Sequence, residues 1–202
     1  MAEEKHISAI ILDKQPRAES SLFITAFSQE EGLVFVYKKM SSKKTSFAPD
    51  LFDEISCQVQ MPNSETAVRF LKDFDVKKHR QGLSASYEKL CAASEISEIV
   101  KLNGAHIDET QSLAELLSIT FNSIETAQNL DAVKIKFLYL LAKNQGYPVK
   151  EDFFASLPVS EKSDFAEILK TPILQLSDKT QQAQRLYKIL KYWVQENTDL
   201  SL

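Results

Sequence analysis

The chain has 202 residues, 44% of them hydrophobic, with 24 basic and 28 acidic side chains and a net charge of −4. This balance suits one large or two small globular domains. Only 4 residues are glycine, and they lie far apart. Phosphate-binding loops need several glycines close together, because only glycine lets the backbone approach a pyrophosphate. Composition therefore argues against a dinucleotide-binding fold and a Walker-type nucleotide site.

The apolar segments are too short to cross a membrane. The longest uninterrupted apolar run, residues 137–142, has six residues, whereas a bilayer-spanning helix needs about 20. The N-terminus lacks the apolar stretch of a secretory signal. We therefore expect a cytoplasmic protein without membrane contact.

The first part of the chain has the pattern of β-strands. Apolar runs rich in β-branched and aromatic residues are separated by turns, and Ile55, Cys57 and Val59 alternate with polar residues as in a half-buried strand. Five short strands without an intervening helix predict a closed or nearly closed barrel. The predicted strands are residues 10–12, 22–27, 33–37, 55–61 and 67–76.

After His79 the period of the pattern becomes helical. Apolar residues recur three and four positions apart, and the segment 132–144 is apolar almost all round, which is typical of a buried helix. We place the domain junction in the polar segment 77–82, which divides the chain into a barrel domain, 1–80, and a helical domain, 81–202. The predicted helices are residues 83–102, 113–124, 132–144, 163–170 and 183–194.

Residues with catalytic or metal-binding chemistry are scattered. The three histidines are far apart and belong to no metal-binding motif. Cys57 lies on the apolar side of a predicted strand and Cys91 lies between apolar helix residues, so we predict that both are packed thiols. The sequence predicts no enzyme activity, no metal and no cofactor.

A cluster of lysines is the one local departure from the background. Between Gly32 and Pro49 there are four lysines and no acidic residue, although the first eighty residues as a whole carry balanced charges. Lysines beside aromatic rings and hydroxyl groups suit contacts with phosphates and stacked bases. A solvated hairpin loop is the alternative, and both remain open. The predicted contact residues are Tyr37, Lys38, Lys39, Lys43, Lys44 and Phe47.

A second basic cluster follows the fifth predicted strand. It contains Lys77, Lys78 and Arg80, together with Lys72, and is interrupted by acidic residues at 73 and 75. We include Lys77, Lys78 and Arg80 as secondary candidates for phosphate contacts.

The first forty-five residues contain motifs in a specific order, and a further similarity follows at residues 49–52. An apolar strand ends in leucine and is followed by a Glu-Ser turn, a second strand, a turn that closes on Gly32, and a third strand that ends in lysines. This series resembles the start of the RecO family of bacterial recombination mediators. The matching segments are Ile10-Ile11-Leu12, Ala18-Glu19-Ser20-Ser21-Leu22, Phe27-Ser28-Gln29-Glu30-Glu31-Gly32, Val36-Tyr37-Lys38-Lys39-Met40-Ser41, Ser42-Lys43-Lys44 and Pro49-Asp50-Leu51-Phe52.

The resemblance extends into the helical half, with departures. Phe137 and Leu141, followed by Gly146-Tyr147-Pro148, look like the family's Phe-x-x-x-Leu-Leu and Gly-Tyr-x-Pro segment. Where the family has Gly and Arg at the end of the third strand, this chain has Lys39 and Ser41. Many members carry four cysteines after the Gly-Tyr-x-Pro segment, and this chain has none there, so we expect no zinc finger.

The resemblance implies a multidomain α+β protein, with an N-terminal OB-fold barrel followed by an α-helical domain. It also implies a non-enzymatic role in DNA repair and recombination after DNA damage. In that role the protein binds single- and double-stranded DNA, anneals complementary strands and helps to load RecA. The implied protein partners are RecR and the C-terminal tail of the single-stranded-DNA-binding protein.

Two alternatives remain. The acidic net charge and Ser41 favour a divergent relative that acts through protein contacts without binding DNA. An unrelated OB-fold module, for example in translation or ribosome assembly, is the other. DNA binding that depends on salt would separate the family role from the first alternative, and capture of RecR would separate both from the second.

Overall fold

The structure is a computed structural model that describes residues 4–17, 20–40, 47–60 and 69–202. The fold is mixed: a five-stranded sheet comes first, and helices follow it. Among the described residues, no helix is both long enough and apolar enough to traverse a bilayer. The strands are β1 (Glu4–Pro16), β2 (Ser21–Ser28), β3 (Gly32–Lys39), β4 (Glu54–Gln60) and β5 (Arg69–Lys78).

The sheet closes on itself in the order β1-β2-β3-β5-β4. The long strand β1 pairs antiparallel with both β2 and β4. β2 and β3 form an antiparallel hairpin, and Gly32 starts β3 with a φ of +70°, in the left-handed region that favours glycine. β3 and β5 pair in parallel and β5 returns antiparallel to β4, so every strand has two neighbours.

Alternation along the strands separates the barrel interior from its outer surface. In β3, Val34 and Val36 are buried while Phe35 is exposed, because successive side chains of a strand point to opposite faces. β4 buries Ile55, Cys57 and Val59 in the same way, as its alternation predicts. The interior contains Ile7, Ala9, Ile11, Ile24, Ala26, Val34, Val36, Ile55, Cys57, Val59 and Leu71.

Six α-helices follow in the described chain, together with short 3₁₀ turns and a π-helical turn at Val149–Phe153. The helices are α1 (Tyr87–Asn103), α2 (Thr110–Thr126), α3 (Leu130–Asn144), α4 (Phe154–Ser156), α5 (Val159–Lys170) and α6 (Thr180–Asn197). The helix α3 packs against α1, α5 and α6 and buries side chains around most of its circumference, as its apolar sequence predicts.

The chain divides into two compact units. The barrel unit comprises the residues up to Gln81 together with Gly104–Ser118, and the helical unit comprises Gly82–Asn103 and Ile119–Leu202. The predicted division at 80/81 had assigned the segment 104–118 to the helical domain. Hydrogen bonds link this segment to the strands: the Thr110 hydroxyl donates to the Gln29 carbonyl at 2.8 Å, and the Ser118 hydroxyl donates to Glu54 at 3.0 Å.

Candidate nucleic-acid interface

Aromatic side chains form a row across the outer surface of the barrel. The strand register places Phe23 of β2 opposite Tyr37 of β3, and Tyr37 opposite Phe70 of β5. The ring centroids of Phe23 and Tyr37 are 5.1 Å apart, and those of Tyr37 and Phe70 are 6.3 Å apart. Cross-strand neighbours on one face of a sheet are close enough for such ring contacts. The row therefore spans three adjacent strands.

Phe35 extends this row along β3. Its ring is nearly parallel to that of Phe23, with centroids 6.0 Å apart and an interplanar angle of 9°. In order of contact the rings are Phe35, Phe23, Tyr37 and Phe70, which we call the aromatic row. Its two end members keep much of their surface accessible, with 46% of Phe35 and 39% of Phe70 exposed. One large apolar ring thus faces solvent at each end of this contiguous cluster.

Basic side chains lie on and beside the aromatic row. The Lys39 ammonium lies 5.6 Å from the centroid of Phe70, and the Arg17 guanidinium lies 5.8 Å from that of Phe23. Lys38 lies 5.4 Å from the ring of Phe74 and donates a hydrogen bond to the Lys72 carbonyl at 3.3 Å. Cation–π attraction holds a positive charge near an aromatic face. Arg17 and Lys39 therefore lie over rings of the aromatic row, whereas Phe74, the ring beside Lys38, packs against the barrel interior.

A groove of about 320 Å³ lies at the Phe70 end of the aromatic row. Three of its six lining residues are lysines, and an aromatic ring and an amide lie between them, so it offers both cationic donors and an apolar surface. The lining residues are Lys38, Lys39, Gln60, Phe70, Leu71 and Lys72.

Arg69, which precedes Phe70, forms an ion pair within the barrel and is not one of the groove-lining residues. Its guanidinium pairs with Glu31, which also pairs with Lys5. Burial by itself would raise the pKa of Glu31, but the hydrogen bond from Lys5 and the charge of Arg69 outweigh burial and lower it. Glu31 therefore stays ionised and holds both cations.

The structure brings together only part of the predicted site. Tyr37, Lys38 and Lys39 lie together at the end of β3. Phe47 is 73% exposed but is not one of the rings of the aromatic row. Lys43 and Lys44 lie outside the described residues, so their predicted role stays a prediction.

The second predicted cluster does not join the first. Lys77 and Lys78 lie at the far end of β5, about 23–26 Å from Phe70 at ~3.3 Å per strand residue. Lys78 is paired in register with Glu54.

The prediction that Arg80 contacts phosphates is wrong, because its side chain is fully buried. Its guanidinium donates to Glu54 at 3.0 Å, to the Ser118 hydroxyl at 2.8 Å and to the Phe52 carbonyl at 3.1 Å. An arginine enclosed in this way has no surface to offer a phosphate, so we remove it from the interface.

The sequence analysis predicts no contact for Phe23, Phe35, Phe70 or Arg17, and it names Lys72 only as part of the second basic cluster. The alternation of β3 puts Phe35 on the same face as Tyr37 and would have identified it. Phe70 and Lys72 depend on the parallel pairing of β3 with β5, which joins segments some thirty residues apart and leaves no local pattern.

The two cysteines lie in different surroundings, one buried and one exposed. Cys57 is buried, as predicted, and burial, together with the charge of Glu30, raises the pKa of its thiol to about 12. It therefore stays protonated at neutral pH and is a poor nucleophile. The prediction that Cys91 is packed is wrong, because its side chain is exposed on α1.

Within the described residues, no group of three or more His, Cys, Asp or Glu side chains could hold a metal ion.

The comparisons with family models and with curated sequences found no match. The resemblance to a family therefore depends on the chain's own ordered motifs.

Proposed function

We propose that this chain is a RecO-like recombination mediator with an N-terminal OB-fold. In this proposal it binds single- and double-stranded DNA, anneals complementary strands and helps to load RecA during DNA repair. It works in the cytoplasm without catalysing a reaction, and its protein partners are RecR and the C-terminal tail of the single-stranded-DNA-binding protein.

The observation that carries the proposal is the position of the aromatic row and its lysines. The row lies on β2, β3 and β5 of a closed five-stranded sheet, with Lys39 beside Phe70 and Lys38 in the groove at that end. An OB-fold is a five-stranded barrel that binds oligonucleotides on its β2–β3 face. Single-strand binding proteins combine cations that follow the phosphates with rings that stack on the bases. Rings on β2 and β3 with lysines near them support the proposal.

Face-on stacking also suits strand annealing. A base that stacks on Phe35 or Phe70 presents its flat face to the protein and leaves its hydrogen-bonding edge free. Lysine contacts to phosphates reduce the repulsion between two strands and carry no sequence information. A strand held in this way stays available to a complementary strand of any sequence.

A second candidate is an OB-fold protein that acts through protein contacts without binding DNA. The net charge of −4 favours it, as do the exposed carboxylates of Asp73 and Asp75, which follow the groove residue Lys72 along β5. Exposed phenylalanines are also suitable anchors for an apolar partner surface.

Binding of labelled single-stranded DNA, measured by fluorescence anisotropy over a range of salt concentrations, separates the two candidates. About four phosphate contacts predict a log–log slope near −3, at ~0.7 per contact for a single strand. Acceleration of duplex formation between complementary strands tests annealing in the same buffer. If the protein binds no DNA even at low salt, the DNA-binding function is wrong and the second candidate replaces it.

A further inference from the structure

We propose that Phe35 and Phe70 are the specificity-determining residues that make this surface prefer unpaired nucleotides over duplex DNA. The inference rests on the proposed function, because it assigns a role to two rings of the same interface. It assigns different roles to the two kinds of side chain. The lysines attract the phosphates of any nucleic acid, and the rings recognise only bases with a free face.

The packing of the aromatic row indicates this role. Phe23 and Tyr37 occupy the middle of the row and each contacts two other rings. The end rings expose 46% and 39% of their surface, although an exposed phenylalanine gains little from folding. The inner pair thus supports the row, while the outer pair presents ring surface that nothing in the described barrel unit covers.

Base geometry determines which nucleic acid can use those rings. In a duplex, each internal base is covered on both faces by its neighbours, and only its edges are open in the grooves. An unpaired base has a free π-face and stacks on an aromatic side chain whatever its sequence. Phe35 and Phe70 therefore gain contacts from a single strand that a continuous duplex does not supply.

The positions of the lysines beside the rings fit these two roles. Lys39 lies 5.6 Å from the Phe70 centroid, and Lys38 and Lys72 line the groove next to that ring. Phosphates occur in both forms of DNA, so these lysines contribute to the binding of either. One end of the aromatic row thus provides a stacking ring and a phosphate contact within the reach of one nucleotide.

Two double variants separate the contributions. Phe35→Ala with Phe70→Ala removes the exposed rings, and Lys38→Ala with Lys39→Ala removes two charges. Each is measured by fluorescence anisotropy against a single strand and a blunt duplex of the same length, at several salt concentrations. Tyr87→Ala is the matched control, because Tyr87 is a 77% exposed ring on α1 outside the aromatic row.

The ring variant is expected to bind the single strand at least about tenfold more weakly, since each stacked base contributes strongly to affinity. Its affinity for the duplex should change less than about twofold, and its salt slope should not change, because stacking releases no counterions. The lysine variant should weaken binding to both DNAs and flatten the single-strand slope by about 1.4. Tyr87→Ala should bind both DNAs like the wild type.

Unchanged single-strand affinity in the ring variant would overturn the inference while leaving the proposed function intact, and the rings would then serve a protein partner. A wild type that binds neither DNA would overturn both. If the ring variant loses equal affinity for both DNAs, a second double variant, Phe35→Leu with Phe70→Leu, is measured. Leucine keeps the apolar volume but has no ring. If this variant also loses both DNAs equally, the rings do not discriminate and the inference is wrong; if it loses only the single strand, the inference stands.

Discussion

Arg80 is the largest fully buried side chain in the described chain, and its charge is compensated within the barrel unit. Its guanidinium contacts the Glu54 carboxylate, the Ser118 hydroxyl and the Phe52 carbonyl. A buried ion pair gains little over an apolar replacement, but removing one partner leaves the other without its counter-charge. Removal of the Arg80 side chain is therefore expected to destabilise the folded barrel unit.

We expect Arg80→Ala to lower the free energy of unfolding by about 2–4 kcal/mol. This loss is towards the lower end of what breaking a buried ion pair usually costs, because Glu54 is partly solvated. Chemical denaturation followed by circular dichroism measures the effect. Lys77→Ala removes an exposed cation from the same strand end and should change stability by less than about 0.5 kcal/mol. Equal stabilities of the two variants would contradict the buried network.

Glu95 on α1 is the centre of a polar cluster in the helical unit. Lys191 and the Tyr187 hydroxyl each donate to it at 2.9 Å, and Lys134 donates at 3.3 Å. Burial alone would raise the pKa of Glu95, but the hydrogen bond from Lys191, the charge of Lys134 and the hydrogen bond from Tyr187 outweigh burial and lower it. The cluster therefore stabilises the folded state when Glu95 is ionised.

This lowered pKa predicts a pH dependence of stability. The folded-state pKa lies below the ordinary value of 4.5, so the stabilisation is complete above that pH and disappears as the pH falls through the folded-state pKa. Glu95→Gln should lower the free energy of unfolding by about 1–2 kcal/mol at pH 7, and the difference from the wild type should vanish in acid.

Urea denaturation at pH 7 and at several values below 4.5 measures this difference for Glu95→Gln. Glu98→Gln is the control, because Glu98 lies on the same helix, is 56% exposed and forms an exposed ion pair with Lys101. Its effect should stay within about 0.5 kcal/mol at every pH. A Glu95→Gln penalty that persists unchanged in acid would show that ionisation of Glu95 is not its cause.

At the scale of the elements, two glycines occupy left-handed backbone for different reasons. Gly32 starts β3 with a φ of +70°, and a Cβ there would lie 3.1 Å from Thr110 Cγ2. Gly146 follows α3 with a φ of +84°, and no described atom lies within 4 Å of the corresponding position. Gly146 is thus required only for its conformation, whereas Gly32 is required for conformation and space.

Substitution by alanine should separate these two requirements. Gly146→Ala should cost about 1–2 kcal/mol, the penalty of left-handed backbone for a residue with a Cβ. Gly32→Ala should cost roughly 1 kcal/mol more, because the added methyl group crowds Thr110. Thermal and chemical denaturation of the two variants provide the comparison, and a larger loss for Gly146→Ala would contradict the described packing around Gly32.

The strands and helices were largely predictable because they leave local patterns. The alternation of Ile55, Cys57 and Val59 and the apolar surface of α3 each predict a structure that is present. β1 is longer than its predicted core of residues 10–12, because its N-terminal half pairs with β4. Pairing partners are not encoded in a strand's own periodicity, so that extension had no local signal.

Residues of the interface were less predictable than the elements that carry them. Lys38, Lys39 and Tyr37 were identified from a local cluster, whereas Phe70 reaches them through the parallel β3–β5 pair. Arg80 follows two lysines and looks like part of a basic surface, but the tertiary contacts of Glu54 and Ser118 bury it. Side-chain direction at the end of a strand is determined by those contacts and not by the neighbouring residues in sequence.

At the scale of the whole molecule, an acidic chain can still present a basic surface. The net charge is −4, but the potential near a surface follows the local arrangement of charges. Added salt screens exposed charges beyond about 8–10 Å at physiological ionic strength. Lysines at the interface and lysines at the far end of β5 should therefore have different effects on DNA binding, although each pair contributes the same charge to the total.

The last prediction tests whether location or total charge controls binding. Lys43→Ala with Lys44→Ala and Lys77→Ala with Lys78→Ala each remove two positive charges. The first pair belongs to the lysine cluster after β3, and we expect it to flatten the log–log salt slope on single-stranded DNA by about 1.4 and to weaken binding to all sequences alike. The second pair lies about 23–26 Å along β5 from Phe70 at ~3.3 Å per residue, so its slope should stay within about 0.3 of the wild type. Fluorescence anisotropy at several salt concentrations measures both. If the two variants flatten the slope equally, DNA binding follows the total charge, and the lysine cluster after β3 has no special role.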